Sequence, residues 1–218
     1  MRKDSLRTRQ KIISTAERLF AERGVDAVSL NEITREAGQK NKSALSYHFG
    51  NKDSLLLAII EKHEGRILEQ RDAYLDDLEK RKALDVESVV RAFIYPLAAE
   101  LDNEDGGKYY LSILAQLSAN PNIQLFRLRP DYVAKEERLM KLLRELTPDI
   151  PNELRRPKLM QASSLVFHSL SYLATIAGKR SDARRLCQVS IENLVDAVVA
   201  VIQTAPSVNT QRSLAQAG

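Results

Sequence analysis

Three polar side chains in the first quarter of the chain have the chemistry needed to recognise base pairs. Lys42, Ser43 and Ser46 carry hydrogen-bond donors, and the two serines also carry acceptors. Reading base edges in the major groove of DNA requires such groups on the exposed face near the start of a helix. The methyl group of Ala44 would suit contact with a thymine methyl if it is not buried. The pattern therefore predicts a DNA-reading surface.

Two short helices are needed to hold these side chains in place. Ser29 with Glu32 forms a capping-box pattern at the start of the first helix, and Gly38 marks its end, where positive φ is required. Asn41 is the predicted cap of the second helix. Its inward positions are Ala44, Leu45 and Phe49, and its remaining positions are Lys42, Ser43, Ser46, Tyr47 and His48. Two such helices joined by a glycine-containing turn predict a helix-turn-helix.

Basic residues flank the predicted helix-turn-helix on both sides. A helix over residues 5–23 begins with a basic cluster, in which Arg7 and Thr8 are candidates for phosphate or minor-groove contacts. Lys52 falls at the start of a long helix, where a cation opposes the positive end of the helix dipole unless an anion lies nearby. A DNA phosphate would supply that anion.

The segment resembles the TetR family of transcriptional regulators over roughly residues 7–60. The residues that carry the resemblance are Leu30, Ile33, Ala37 and Gly38, then Leu45, Ser46, Tyr47, His48, Phe49, Asn51 and Lys52. Two departures stand out: the turn after Gly38 is one residue longer than in common members, and Ser46 stands where many members carry tyrosine.

The resemblance implies DNA-contacting roles for part of this segment. Tyr47 and His48 match positions that reach the sugar-phosphate backbone, and Lys52 matches a phosphate-contacting lysine. The complete set of predicted DNA-binding residues is Arg7, Thr8, Asn31, Asn41, Lys42, Ser43, Ala44, Ser46, Tyr47, His48 and Lys52. The expected DNA partner is a double-stranded palindromic operator.

Helical periodicity extends over the rest of the chain, so the predicted fold is all-α with about nine helices. A helix over residues 52–82 is long enough to link a DNA-binding domain at residues 1–52 to a helical effector-binding and dimerisation domain at residues 53–205. Pro96 is predicted to kink or divide the helix after Tyr95. Residues 206–218 lack a periodic apolar face and are predicted to be a disordered tail.

The resemblance also implies a small-molecule effector site in the second domain. Its candidate lining residues are Phe93, Leu97, Tyr110, Leu114, Leu139, Leu143, Phe167 and Tyr172, although apolar residues at helical spacing are more often plain core. The last two long helices are apolar on more than one face, which predicts a homodimer. The residues predicted to form the dimer interface are Phe167, Leu170, Val195, Val198 and Ile202.

Composition narrows the class of protein. The net charge is +4, and residues 1–52 hold eleven Lys or Arg against six Asp or Glu, so the excess of positive charge lies in the helix-turn-helix segment.

One cysteine excludes an intrachain disulfide, and the absence of an obvious membrane-spanning run or leader predicts a cytoplasmic protein without a membrane partner. His63 and His168 lack partners at metal-ligand or catalytic spacing, so no metal or cofactor is expected.

Three functions remain open at this level. A repressor released from its operator by an effector fits best, and an effector-independent or architectural DNA-binding protein is the alternative. A helical enzyme is a remote third possibility, because no phosphate-binding loop, zinc-protease motif, nucleophile elbow or dinucleotide fingerprint is present.

Overall fold

The structure, a computed structural model, describes residues 3–39, 43–119, 132–176 and 183–217. All regular structure in these ranges is helical, which confirms the all-α prediction. The helices are α1 (Lys3–Arg23), α2 (Leu30–Glu36), α3 (Ser43–Phe49), α4 (Lys52–Lys80), α5 (Val86–Ala98), a 3-10 helix (Ala99–Asp102), α6 (Gly107–Ala119), α7 (Tyr132–Leu146), α8 (Asn152–Ile176), α9 (Ala183–Gln203) and α10 (Val208–Ala217).

The N-terminal helices α1, α2 and α3 share one apolar core. Spacings of three and four residues put Ile12, Ala16 and Leu19 on one face of α1, and all three are fully buried. Ile33 of α2 and Leu45 of α3 complete the contact from the other side. These helices therefore form one packed unit that carries the predicted DNA-reading surface.

The link between this unit and the C-terminal helices is α4. It is 29 residues long, or about 43 Å at 1.5 Å per residue. Buried residues occur from Leu55 to Leu78, and α4 contacts α1, α3, α5 and α6. Around it, α8 packs along α6 and α9, and α9 packs on α5.

The helix α5 continues through Pro96 to Ala98 and then tightens into the 3-10 helix, so the predicted division after Tyr95 is wrong. Proline removes one backbone donor and crowds the preceding turn. The α-helical pattern ends two residues after Pro96, and the chain continues directly as the 3-10 helix.

The C-terminal segment also differs from its prediction. Residues 206–218 were expected to lack structure, but Val208–Ala217 form α10. The hydroxyl of Ser207 accepts a hydrogen bond from the backbone nitrogen of Thr210 at 3.3 Å, and Val208 is 63% exposed. The cap at Ser207 and good helix formers such as alanine, glutamine and leucine stabilise α10, although it has no buried apolar face.

The helix α9 contains a stretch, Arg185–Gln203, that is long and apolar enough to cross a membrane by length and composition alone, contrary to the expectation from sequence. Leu194, Val195, Val198 and Ile202 within it are buried against the rest of the chain. Core helices of soluble proteins meet the same criteria, so the stretch is weak support for a membrane span.

Buried charged groups join α1 to the C-terminal helices. The His63 ring on α4 lies between two carboxylates, with Nε2 2.5 Å from Glu17 Oε1 on α1 and Nδ1 2.8 Å from Glu100 Oε2 on the 3-10 helix. All three side chains are 1% exposed. Because buried charges are stable only when paired and hydrogen-bonded, these contacts tie the two parts of the chain together.

Further side chains complete this group. Lys62 Nζ lies 2.8 Å from Glu17 Oε2 and 2.9 Å from Asp105 Oδ1. Arg66 Nη2 lies 2.5 Å from Glu100 Oε1, and Asn103 Nδ2 donates to Glu100 Oε2 at 2.7 Å. We call the following residues the junction cluster: Glu17, Lys62, His63, Arg66, Glu100 and Asn103.

These contacts shift the pKa values of the buried groups. Burial alone would lower the pKa of His63, but the hydrogen bonds to Glu100 and Glu17 outweigh it and raise the pKa above 6.5. Burial alone would raise the pKa of Glu100, but the hydrogen bonds from His63, Asn103 and Arg66 lower it to about 2. The stabilisation from His63 is therefore complete below pH 6.5 and is lost as pH rises through its raised pKa. That from Glu100 is lost only as pH falls toward about 2.

A backbone clamp lies beside the junction cluster. The Gln116 side chain on α6 donates to the carbonyl of Phe20 at 3.0 Å and accepts from the backbone nitrogen of Val25 at 2.9 Å. One amide thereby satisfies both a carbonyl at the end of α1 and an amide of the following turn. It fixes the exit of α1 on α6.

Gly106 makes room for the Glu17 carboxylate, and we predict that Gly106→Ala destabilises the protein. A Cβ there would lie 2.1 Å from Glu17 Oε2, and φ at this position is +88°. The combined collision and strain should cost about 1–3 kcal/mol in the free energy of unfolding, measured with urea.

Gly65→Ala is the matched control. Gly65 lies inside α4, where a Cβ would meet nothing within 4 Å, so alanine should stabilise by about 0.5–1 kcal/mol. Equal unfolding free energies for the two variants would contradict the account of Gly106.

Candidate nucleic-acid interface and internal cavities

The start of α2 is capped by Ser29, whose hydroxyl accepts from the backbone nitrogen of Glu32 at 3.2 Å. This is one half of the predicted capping box. The Glu32 carboxylate pairs with Arg23 at the end of α1. Glu32 thus joins α1 to α2 across the surface.

Gly38 ends α2 as its sequence position predicts. Its φ is +64°, and its backbone nitrogen donates to Arg35 O at 2.9 Å, while Gln39 donates to Thr34 O at 3.1 Å. This pair of reversed hydrogen bonds is a Schellman motif, which needs a left-handed residue at this position. The chain therefore leaves α2 in a defined direction towards α3.

One side of α3 is anchored and the other is open. Leu45 is 2% exposed and Phe49 is 8% exposed, and the Arg9 guanidinium lies 5.2 Å from the centre of the Phe49 ring. Tyr47 is 82% exposed, and its ring meets that of half-buried His48 edge-on, with centroids 5.2 Å apart. The helix is thus held by two apolar side chains and presents two polar aromatic rings to solvent.

The remaining predicted DNA-contacting residues fall in different parts of this surface. Arg7 is exposed and Thr8 half-buried on the first turns of α1, and Asn31 is exposed at the start of α2. Asn41 and Lys42 lie outside the described residues. Ser43, Ala44 and Ser46 belong to α3, but their side chains lie outside those that the structure describes.

Lys52 has an unexpected pair of partners. Its ammonium donates to the carbonyls of Val25 at 2.9 Å and Asp26 at 3.3 Å, in the turn before α2. The N-terminus of α4 is capped separately by Asn51, whose side chain accepts from Ser54 N at 2.8 Å. Two carbonyl dipoles, rather than a required phosphate, therefore offset the unfavourable position of Lys52 at a helix start. No pattern near Lys52 in the sequence indicates this contact, because the partners lie 26 and 27 residues away.

Small, partly open cavities lie between the C-terminal helices. The α4 cavity, of about 30 Å³, is lined by Ile60, Glu64, Ile67, Leu68, Arg71, Phe93, Leu97, Tyr110, Leu114 and Phe167. The α7 cavity, also of about 30 Å³, is lined by Val89, Val90, Phe93, Leu139, Met140, Leu143, Leu159, Ala162, Ser163, Val198 and Ile202. Each has room for a water molecule, whereas pockets for organic ligands usually occupy about 300–1,000 Å³.

The predicted effector-site residues divide between these cavities. Five of them, Phe93, Leu97, Tyr110, Leu114 and Phe167, line the α4 cavity. Leu139 and Leu143 line the α7 cavity. Tyr172 lines neither and is 65% exposed, because it lies on the outer face of α8.

Two charged residues of the α4 cavity were absent from the prediction. Glu64 and Arg71 lie on one side of α4, two turns apart, and are 9% and 4% exposed. The Arg71 guanidinium lies 5.2 Å from the centre of the Phe93 ring. Apolar periodicity does not select charged residues. Glu64 and Arg71 nevertheless stand at the helical spacing of the buried apolar positions of α4.

The residues predicted for the dimer interface lie in the core of one subunit. Phe167, Leu170, Val195, Val198 and Ile202 are each at most 7% exposed. The same two helices also carry exposed apolar side chains, Met160, Tyr172, Leu186 and Val189, which are 38–65% exposed. Apolar periodicity alone does not indicate which apolar side chains the subunit itself covers.

Residues 12–59 match the family model described as "Bacterial regulatory proteins, tetR family". The chain is 32% identical over 104 residues to an HTH-type transcriptional regulator of Staphylococcus aureus, a match that covers 48% of this chain and 54% of the relative. It is 36% identical over 62 residues to the HTH-type transcriptional repressor AcnR of Corynebacterium glutamicum, with 28% and 32% covered. The chain thus spans about half or less of the length of these relatives.

Two solved structures share the fold over nearly the whole chain. A mutant of HlyIIR superposes with a TM-score of 0.55 at 17% identity, covering 94% of this chain and 99% of the other. A TetR family transcription regulator from Marinobacter aquaeolei VT8 gives a TM-score of 0.55 at 16% identity, with 90% and 98% covered. The sequence match over the helix-turn-helix and this shared all-helical fold agree, and residues 12–59 match the tetR family of bacterial regulatory proteins.

Proposed function

We propose that the chain is a transcriptional regulator that binds a palindromic operator as a homodimer and is released from it by a small-molecule effector. The observation that carries the proposal is the two-sided character of α3. Leu45 and Phe49 anchor the helix, while Tyr47 stands 82% exposed beside His48. A surface aromatic with a polar tip is suited to a partner that offers both sugar carbon and phosphate oxygen.

The charge distribution and the relatives support this proposal. The excess positive charge of the chain belongs to residues 1–52, so a polyanion would be attracted to the end of the molecule that carries α3. The relatives bear the descriptions transcriptional regulator and transcriptional repressor. In its simplest form, the proposal makes the protein a repressor that is located in the cytoplasm.

We place the dimer interface on the exposed apolar face of α8 and α9. Met160, Tyr172, Leu186 and Val189 give this face large apolar side chains that the subunit does not cover. A two-fold axis through such a face would present two copies of α3, as a palindromic operator requires.

The effector would act by enlarging the α4 cavity. An organic ligand needs several times the present volume of about 30 Å³, so the cavity walls must move apart when it binds. One wall is α4, which also contacts α1 and α3. Displacing α4 would change the orientation of α3, to the extent that the effector prefers the displaced conformation.

Selection of bound fragments from random DNA tests the central claim, with a palindromic consensus as the expected result. Lys42→Ala and Ser43→Ala should alter the preferred bases, because such groups can reach base edges. Lys52→Ala should weaken binding to all sequences about equally and lower the salt slope by about one.

Lys80→Ala, at the exposed end of α4, is the control and should bind as wild type. Equal loss on all sequences for Lys42→Ala, Ser43→Ala and Lys52→Ala would refute the division between base and phosphate contacts. Equal affinity of the wild type for unrelated sequences, with a steep salt dependence, would favour the architectural alternative.

Tyr47→Ala should separate DNA binding from stability. Loss of a hydrogen bond to a charged phosphate should weaken operator binding by about tenfold, measured by fluorescence anisotropy. The midpoint of urea unfolding should barely move, because the side chain is 82% exposed.

Phe49→Ala should instead lower stability. Phe49 is 8% exposed, and removal of its ring should cost about 3–5 kcal/mol in the free energy of unfolding. A Tyr47→Ala variant that binds operator with wild-type affinity would remove Tyr47 from the interface.

Val189→Asp should convert the dimer to a monomer, as measured by sedimentation equilibrium, because a carboxylate at the centre of an apolar interface would be buried without a partner. Val208→Asp is a closely matched control. Val189 is 59% exposed on α9 and Val208 is 63% exposed on α10, outside the proposed interface. Dimers of unchanged affinity in the Val189→Asp variant would contradict this placement.

A further inference from the structure

The His63 ring makes two contacts that a neutral imidazole cannot make as donated hydrogen bonds. Neutral imidazole carries one N–H, whereas both ring nitrogens of His63 face carboxylate oxygens, at 2.5 Å on Glu17 and 2.8 Å on Glu100. Without the second proton, and with both carboxylates ionised, a nitrogen lone pair would face an oxygen lone pair at hydrogen-bond distance. The Asn103 amide nitrogen also lies 3.4 Å from Nδ1, but Glu100 is the nearer partner. The geometry is therefore that of an imidazolium between two carboxylates.

The charges around the ring balance only when it is protonated. The ionisable groups facing the site are Glu17 from α1, Lys62 and Arg66 from α4, Glu100 from the 3-10 helix and Asp105 from the following turn. With His63 charged, these groups provide three positive and three negative charges. Loss of the ring proton would leave one excess negative charge where Glu17, His63 and Glu100 are each 1% exposed.

The remaining faces of the site give the ring little freedom. The Tyr110 ring of α6 stacks on His63, with centroids 4.5 Å apart and planes 13° apart. Gly106 and Gly107 leave no space between the turn and the two carboxylates, since a Cβ at either would lie within 3 Å of Glu17 or Glu100 atoms. A deprotonated ring would stay packed against Tyr110 and between the same two carboxylates, and separation of the helices would relieve the repulsion.

The helix that would separate is α1, because Glu17 is its contact with the ring. The same helix forms the core under α2 and α3 through Ile12, Leu19 and Phe20. Movement of α1 on the C-terminal helices would therefore change how α3 is presented to a partner.

We propose that His63 is a positioning residue for DNA binding, whose protonated ring holds α1, through Glu17, on the C-terminal helices and makes operator affinity fall as pH rises. The proposal rests on the DNA-binding function proposed above. The direction of the pH dependence follows from linkage. The conformation with α1 docked binds operator and also holds the second ring proton of His63, so losing that proton lowers operator affinity. Acidification toward pH 6.5 should thus preserve operator binding, and alkaline conditions should weaken it.

The test compares the operator affinity of the wild type with that of His63→Gln across pH, because the two proteins share every other ionisable group. Operator affinity of the wild type should fall by at least about fivefold between about pH 6 and about pH 9, the lower end of common coupling strengths. The His63→Gln variant should lack this fall and bind weakly throughout.

A spectroscopic measurement identifies the group responsible. The ring nitrogens of His63 should give an imidazolium NMR signal that persists above pH 6.5, and its titration should coincide with the change in affinity. Amide protection factors in α1 should fall over the same interval. Glu17→Gln, which keeps the size of the side chain, should move the titration of His63 to lower pH, and this holds as a test if His63→Gln does not fold.

The outcomes separate this proposal from the one on which it rests. Operator binding with the same pH dependence in the presence and absence of His63 would overturn the role of His63 and leave the DNA-binding function intact. A His63 pKa that is not raised above 6.5, or α1 protection that does not follow its titration, would also overturn it. If the wild type bound no DNA, the proposed function would fail, while the ring titration and α1 protection would still report on the contact.

Discussion

Burial of opposite charges between α1 and the C-terminal helices is the constraint on which the rest of the structure depends. Glu17 and Glu100 are 1% exposed, and an unpaired carboxylate at that depth would cost several kcal/mol. The partners that neutralise them come from α4, so α1, α4 and the 3-10 helix have essentially one arrangement that satisfies all three. The apolar contacts nearby are less selective, since packing tolerates small sliding movements. The charged groups therefore fix the register of the N-terminal helices on the remainder of the chain.

Features set by local interactions could be predicted from the sequence. Ser29 as a cap, Gly38 as a left-handed terminator and the helical span after Lys52 all follow from residues within one or two turns. Features set by distant partners could not. Lys52 reaches carbonyls 26 and 27 residues away, and the ring of His63 meets carboxylates 46 and 37 residues away. Nothing in the spacing of these residues along the chain indicates that they meet.

The candidate site shows a second limit of sequence patterns. In α8 and α9 apolar residues lie on two faces, and the pattern is the same whether a face meets its own subunit or another protein. Phe167 and Val195 are buried within the subunit, while Tyr172 and Val189 are exposed. Only packing against α5 and α6 distinguishes the two faces, and that depends on the complete fold. The α4 cavity is similar, because Arg71 lines it among apolar residues that periodicity alone would have selected.

The contacts of Lys52 have a consequence for the rigidity of the molecule. An ammonium group has three N–H donors, and two of them are directed at the carbonyls of Val25 and Asp26. Among the residues that the structure describes, the third donor meets no acceptor, so it can bind an oxygen from outside the protein. A bound anion at that position would complete the ammonium's hydrogen bonding and join the turn before α2 to the first turn of α4. Its arrival would remove freedom from the backbone on both sides, so part of the favourable contact energy would be offset by lost conformational entropy.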